Sequence, residues 1–72
     1  MSQIDARGKS CPMPIVLLAK AARELPPGGS ISILSDDRAF PMDVEAWCLK
    51  TKHKLVSLKD GGGSYEAVVL RP

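Results

Sequence analysis

The sequence predicts a small α/β protein of the α+β type: a two-layer sandwich in the order β-α-β-α-β-β, with a four-stranded mixed sheet and two helices on one face. Three observations predict this class. The chain has only 72 residues, so we expect residues 1–72 to form one domain around one modest core. Segments with alternating apolar residues favour strands, and segments with apolar residues three or four apart favour helices. Two helices can cover only one face of so small a sheet, so the other face should stay largely wet.

The first part of the chain predicts a strand, a turn and a helix. Residues 3–6 alternate polar and apolar side chains, which favours a strand with one buried face, and residues 7–10 have the composition of a turn. The helix is expected to end at the prolines and glycines of residues 26–29. Its core-facing stripe is expected to contain Ile15, Leu18, Ala22 and Leu25.

The rest of the chain predicts a strand, a helix and two final strands. Residues 30–35 alternate and are rich in β-branched side chains, which favours a strand. Pro41 suits the first position of a helix, and Asp43 in the first turn complements the helix dipole. Residues 55–58 and 65–70 favour strands joined by a glycine-rich loop. The second helix should end near residues 50–53 without a glycine cap, and its apolar stripe should contain Val44, Trp47, Cys48 and Thr51.

Composition argues against several classes of protein. The chain is 44% hydrophobic and 25% charged, so it has enough apolar residues to fold. Only three residues are aromatic, which argues against a surface that stacks nucleic-acid bases. No apolar stretch approaches the roughly 20 residues needed to cross a bilayer, and the first residues lack the pattern of a secretion signal. We therefore expect a cytoplasmic protein with no membrane partner and two free thiols.

Cys11 carries the strongest chemical signal. It directly precedes Pro12, so we expect it at the N-cap of the first helix, where the dipole and unpaired N–H groups favour a thiolate. Because Pro12 and Pro14 lack N–H groups, only Met13 in the first three helical positions can donate to the sulfur. The pKa of Cys11 is accordingly expected to lie moderately below its reference value of about 8.5, with Lys9 and Arg7 acting in the same direction.

The position three residues after Cys11 holds Pro14, where a redox enzyme of the Cys-x-x-Cys type has its second thiol. A sulfur atom attached to Cys11 would therefore meet no resolving thiol nearby in sequence, as a carrier requires. Two alternatives remain: Cys11 is a small residue tolerated at a helix start, or Cys48 approaches it as in a thiol–disulfide oxidoreductase. On its apolar stripe, Cys48 is more simply a core residue. We expect no metal site, because Cys11, Cys48 and His53 lack paired-ligand spacing.

Several segments in succession resemble the landmarks of a known family. They are Ile4-Asp5-Ala6-Arg7-Gly8, Cys11-Pro12-Met13-Pro14, Pro27-Gly28, Ile33-Leu34-Ser35-Asp36-Asp37, Trp47-Cys48 and His53-Lys54-Leu55. Together they resemble the TusA/SirA family of small sulfur carriers over nearly the whole chain. The resemblance implies the same sandwich fold. It also implies that Cys11 takes sulfane sulfur as a persulfide from a cysteine desulfurase or rhodanese and relays it to an acceptor protein. We expect such a carrier to need no cofactor.

The resemblance also suggests roles for other residues. Pro12 and Pro14 would shape the helix start, and Asp37 would lie beside Cys11 at the same sheet edge. Supporting residues near the site would be Asp5, Arg7 and Gly8. Helical phase, in contrast to the resemblance, predicts a partner-docking surface near the start of the first helix that includes Met13, Lys20 and Arg23.

A binding module is the alternative to the sulfur-carrier function. The open sheet face and a basic cluster could instead form a regulatory or RNA- or protein-binding module, although the net charge of +2 does not demand direct nucleic-acid binding. In that case Cys11→Ala would leave the function intact and changes of the lysines would remove it. For a carrier, transfer-RNA thiolation, molybdenum-cofactor assembly and sulfur-compound oxidation all stay open. The basic cluster comprises Lys50, Lys52, Lys54 and Lys59.

Overall fold

The helices and strands of the computed structural model follow the predicted order. The structure describes residues 2–72, so Met1, which the predicted domain includes, lies outside the described residues. The elements are β1 (Ser2–Asp5), α1 (Met13–Arg23), β2 (Ser30–Ser35), α2 (Phe40–Thr51), β3 (Lys54–Asp60) and β4 (Tyr65–Leu70).

The four strands form one mixed sheet in the order β1-β2-β4-β3. β1 and β2 are parallel, and β4 pairs antiparallel with both β2 and β3. Because β1 and β2 run in the same direction, the chain leaves both of them at one edge of the sheet. The loops that lead into α1 and α2 therefore start at this edge, which is where α/β proteins commonly place a site.

The core lies between the sheet and the two helices. Leu18 is fully buried in α1, and Val44 is fully buried in α2. Phe40 is 1% exposed at the start of α2, although the sequence pattern did not include it in the apolar stripe. Thr51, which the pattern did include, is exposed. The buried sheet residues beneath the helices are Ile31, Ile33, Ala67 and Val69.

Both helices begin one residue away from their predicted starts. α1 has Pro12 as its N-cap, so the expectation that Cys11 occupies this position is wrong. α2 begins at Phe40, which puts Pro41 at its second position. Proline is compatible with the N-cap and with the first turn alike, since the N–H groups there have no partner within the helix. At the other end of α2, Lys52 caps the helix in the left-handed conformation, with φ of 64°, and no glycine is used.

The second sheet face is less open than expected. Ser32 lies on this face, because it alternates with the core residues Ile31 and Ile33, yet it is only 3% exposed. Its hydroxyl donates to the carboxylate of Glu66 at 3.2 Å, and the Gln3 amide donates to the same oxygen at 3.4 Å. Polar side chains thus cover the centre of this face.

Neither helix in the described part of the chain combines the length and apolar character needed to cross a bilayer.

Candidate functional site

Cys11 lies at the sheet edge where both helices begin. Its side chain is exposed, and it directly precedes the N-cap residue of α1. The peptide bond between Cys11 and Pro12 is cis. Pro14, two residues into the helix, is buried and packs the start of α1 against the protein. The thiol therefore stands at the surface, on a loop whose far end is fixed by a packed helix.

Two neighbouring carboxylates hold the Cys11 loop in place. Both carboxylate oxygens of Asp36 accept the N–H of Gly8, at 3.0 and 3.1 Å. Gly8 has φ of 82°, a backbone conformation that strongly favours glycine. Asp37 Oδ2 accepts the N–H of Cys11 at 3.0 Å. The loop after β2 thereby sets the position of the loop after β1, and Asp37 lies beside Cys11.

Asp37 is itself well anchored. Its own N–H donates to the hydroxyl of Ser35 at 3.2 Å, and Ser35 is fully buried. Its carbonyl accepts the N–H of Phe40 at 3.0 Å, and its Oδ1 accepts the N–H of Ala39 at 3.4 Å. One residue therefore joins the Cys11 loop, the end of β2 and the start of α2.

The sulfur atom is hydrogen-bonded to a residue that sequence reasoning did not assign to the site. The Cys11 thiol donates to Asp43 Oδ2, with Sγ and Oδ2 3.3 Å apart. Asp43 is partly exposed in the first turn of α2. The sequence already offered a local explanation for this carboxylate at a helix start. The signal that would have found it is topological, since parallel β1 and β2 bring both helix starts to one edge.

The predicted lowering of the Cys11 pKa is wrong. The hydrogen bond to the Asp43 carboxylate raises the pKa of the Cys11 thiol above its usual value, and partial desolvation and the negative charges of Asp43 and Asp37 act in the same direction. Helix α1 does not counter this effect through Met13, because the Met13 N–H donates to the carbonyl of Ser10 at 2.9 Å.

Asp5 and Arg7 interact with each other and form no hydrogen bond to Cys11. The guanidinium of Arg7 binds both Asp5 oxygens, at 2.9 and 2.8 Å, and it holds the pKa of Asp5 at about 2. The Arg7 N–H also donates to Asp5, at 3.1 Å. This exposed ion pair lies at the end of β1. The positive charge of Arg7, which we expected to favour a thiolate on Cys11, is instead paired with Asp5. Gly8 acts on the site through Asp36.

One thiol and two carboxylates lie close together at the site. The ligand atoms of Cys11, Asp37 and Asp43 all lie within 4.8 Å of one another. Exposed acidic groups commonly cluster in this way without a metal ion. Among residues 2–72, Cys48 and His53 do not take part in such a group. Cys48 is 3% exposed in the core, and His53 Nδ1 lies 2.9 Å from the Thr51 hydroxyl oxygen.

The outer face of α1 starts next to the thiol. Met13 and Val16 are 43% and 48% exposed, and Lys20 and Arg23 are also exposed. A shallow groove of about 470 Å³ runs along this face and is lined by Val16, Ala19, Lys20 and Arg23. Of the predicted docking residues, Lys20 and Arg23 line this groove, and Met13 is exposed at the start of the same helix.

Comparison with known proteins identifies the family. A family model described as Sulfurtransferase TusA matches residues 2–71. The chain belongs to the TusA family. This TusA-family chain is 34% identical over 62 residues to the sulfur carrier protein TusA of Pseudomonas fluorescens strain SBW25, a match that covers 86% of this chain and 75% of the relative. It is 32% identical to the sulfur carrier protein TusA of Pseudomonas paraeruginosa, over 86% of this chain and 78% of the relative.

The fold of the TusA-family chain also has a solved relative. The crystal structure of a SirA-like protein from Desulfitobacterium hafniense superposes with a TM-score of 0.85 at 27% sequence identity. The match covers 97% of this chain and 96% of the other. The family resemblance and the fold class inferred from the sequence are thus both confirmed.

Proposed function

We infer that this TusA-family protein is a sulfur carrier that acts as one domain over residues 1–72 and holds sulfane sulfur as a persulfide on Cys11. The observation that supports this assignment is an exposed thiol at the sheet edge, on a loop whose N–H groups donate hydrogen bonds to Asp36 and Asp37. The carrier function agrees with the names of its relatives, whereas the comparisons give no support to a regulatory or RNA-binding module.

The proposed transfer is an exchange between thiols and persulfides. The Cys11 sulfur attacks the outer sulfur of a donor persulfide, so a new S–S bond forms and the S–S bond of the donor breaks. The donor leaves as a thiolate and takes up the proton that Cys11 loses. An acceptor thiol then attacks the outer sulfur on Cys11, and Cys11 leaves in turn. The balance requires no external oxidant or reductant, and we propose no cofactor.

The surroundings of Cys11 favour a carrier over a thiol–disulfide oxidoreductase. Position 14 holds a buried proline, and the other cysteine, Cys48, lies in the core at 3% exposure. A persulfide on Cys11 therefore has no accessible thiol of its own chain to attack it. It can persist until a partner removes the sulfur.

Its partners are a sulfur donor and a sulfur acceptor, which we propose to be cytoplasmic proteins. The donor class is a cysteine desulfurase or a rhodanese, and the acceptor is a downstream protein thiol. Met13 and Val16 would supply apolar contact beside the thiol, and Lys20 and Arg23 would attract an acidic partner surface.

Charge reversal tests this docking surface. The double variant Lys20→Glu, Arg23→Glu is expected to slow sulfur uptake from the donor by about tenfold, because rim charges mainly control the association rate. The matched control is Lys54→Glu, Lys59→Glu, which makes the same change in net charge on exposed residues of β3. Initial rates are measured at low and high salt. Equal slowing by both double variants would reject the α1 surface.

Incubation with a cysteine desulfurase tests the function itself. With cysteine that contains radioactive sulfur, the protein is expected to acquire about one labelled atom per chain, which dithiothreitol should release because it reduces persulfides. Subsequent addition of an acceptor thiol should remove the label. No labelling by either a desulfurase or a rhodanese, or label that dithiothreitol does not release, would refute the proposed carrier.

A further inference from the structure

The thiol of Cys11 lies between two carboxylates. Its S–H points at Asp43 Oδ2, 3.3 Å away, while Asp37 Oδ2 accepts the N–H of the same residue. A carboxylate that accepts a hydrogen bond from a thiol stabilises the protonated form, because the thiolate has no proton to donate and would repel the oxygen. The geometry therefore favours an S–H group over the S⁻ form that is reactive in sulfur transfer.

Within the described part of the chain, neither carboxylate forms an ion pair. Among residues 2–72, no lysine or arginine nitrogen lies within 4.0 Å of a carboxylate oxygen of Asp37 or Asp43, and the ion pair that does form is Arg7 with Asp5. Lys9, on the same loop, forms no side-chain hydrogen bond to the site within these residues. The negative charges of Asp37 and Asp43 therefore act on the Cys11 sulfur without being neutralised by an ion pair among the described residues.

Among residues 2–72, no N–H of helix α1 donates a hydrogen bond to the Cys11 sulfur, which bonds instead to Asp43. The sulfur belongs to the residue before the N-cap, and the Met13 N–H is taken by the Ser10 carbonyl. Pro12 and Pro14 have no N–H to offer. The groups shown to bind Cys11 are therefore the carboxylates of Asp37 and Asp43, and the Met13 N–H is bonded elsewhere.

We propose that Asp43 is a positioning residue that keeps the Cys11 sulfur protonated in the resting carrier, so that the thiol reacts slowly with small electrophiles before a partner binds. Its meaning for the relay rests on the proposed carrier function. The free carrier would be protected from alkylation and from unproductive disulfides, and reactivity would be reserved for the complex with a donor. The raised pKa of Cys11 agrees with this assignment.

The Asp43→Asn variant tests the proposal. Asparagine keeps the size of the side chain but removes its charge, so the thiolate fraction at neutral pH should rise. A change of one unit in pKa corresponds to a tenfold change in thiolate, and we expect iodoacetamide to alkylate Cys11 about three to ten times faster in the variant. The midpoint of the rate against pH should move to lower pH.

Glu45→Gln is the matched control. Glu45 lies two residues further along α2 and is exposed, so this variant removes one negative charge from the same helix without touching the sulfur. Its alkylation rate should stay within about twofold of wild type. Alkylation is followed on the peptide that contains Cys11, with a chelator present so that no metal ion occupies the cluster.

A second test uses only the wild-type protein and compares its native and unfolded states. The same pH profile is recorded for the native protein and for the protein unfolded in urea, where the contact between Cys11 and Asp43 is absent. We expect the native midpoint at higher pH. A native midpoint equal to or below the unfolded one would overturn the proposal, as would an Asp43→Asn variant that reacts no faster than wild type.

Slower alkylation of Asp43→Asn would also reject the assignment, because the carboxylate would then assist removal of the proton. The assay uses no sulfur donor, so it is independent of the labelling experiment. If labelling succeeds and alkylation contradicts our expectation, the carrier function stands without this role of Asp43. If labelling fails, the alkylation result still decides how Asp43 controls the thiol.

Discussion

Cys11→Ser is expected to abolish sulfur loading while the fold stays intact. The side chain is exposed, and a hydroxyl can donate to Asp43 much as the thiol does, so we expect little change in the free energy of unfolding. Oxygen cannot take the place of sulfur in the persulfide, so labelling with a desulfurase should fall to the background. Thermal unfolding, monitored on the same sample, shows whether the variant is folded.

Cys48→Ala is the control for that result. Cys48 lies in the core, and its replacement should destabilise the protein by about 1 kcal/mol but leave sulfur loading unchanged. Label that persists on Cys11→Ser, or label lost from a folded Cys48→Ala, would show that Cys11 is not the residue that carries the persulfide.

Phe40→Ala is expected to cause the largest loss of stability among single changes. Phe40 is 1% exposed and belongs to the main hydrophobic cluster. Truncation of a buried phenylalanine costs about 3–5 kcal/mol, which is a large share of the about 5–15 kcal/mol that stabilises a typical domain. Phe40 also starts the helix that carries Asp43, so the variant should disturb the site as well. Urea unfolding of wild type and variant measures the change in the free energy of unfolding.

Met42→Ala is the matched control on the same turn. Met42 is 73% exposed, and its truncation should change the free energy of unfolding by less than about 0.5 kcal/mol. A Phe40→Ala protein that loses less than about 1 kcal/mol of unfolding free energy would contradict this expectation and show that the core around residue 40 repacks.

The order of elements could be predicted because periodicity is a local property. The alternation in residues 30–35 and 65–70 matches the observed bounds of β2 and β4. Helix starts are harder to predict, since Pro12 and Pro41 suit more than one position near a helix N-terminus. Phe40 was missed because Pro41 was expected at the first position of the helix, which put Phe40 outside it, whereas α2 already begins at Phe40.

The site was only partly predictable from sequence. Cys11 stands out because a cysteine before a proline and a helix has an obvious chemical use. Its protonation, however, depends on Asp43, which is 32 residues away in sequence and which a local rule explains without reference to Cys11. The rule that a helix start lowers a thiol pKa also requires free N–H groups, and the Met13 N–H is already bonded.

Locating the sulfur atom on the loaded protein tests the carrier role of Cys11 directly. After incubation with a desulfurase and cysteine, the protein is digested without reductant, and the masses of its peptides are measured by mass spectrometry. We expect one additional sulfur atom on the peptide that contains Cys11 and no addition to the peptide that contains Cys48. Sulfur found on the Cys48 peptide alone, or on neither peptide, would refute Cys11 as the carrier of the persulfide.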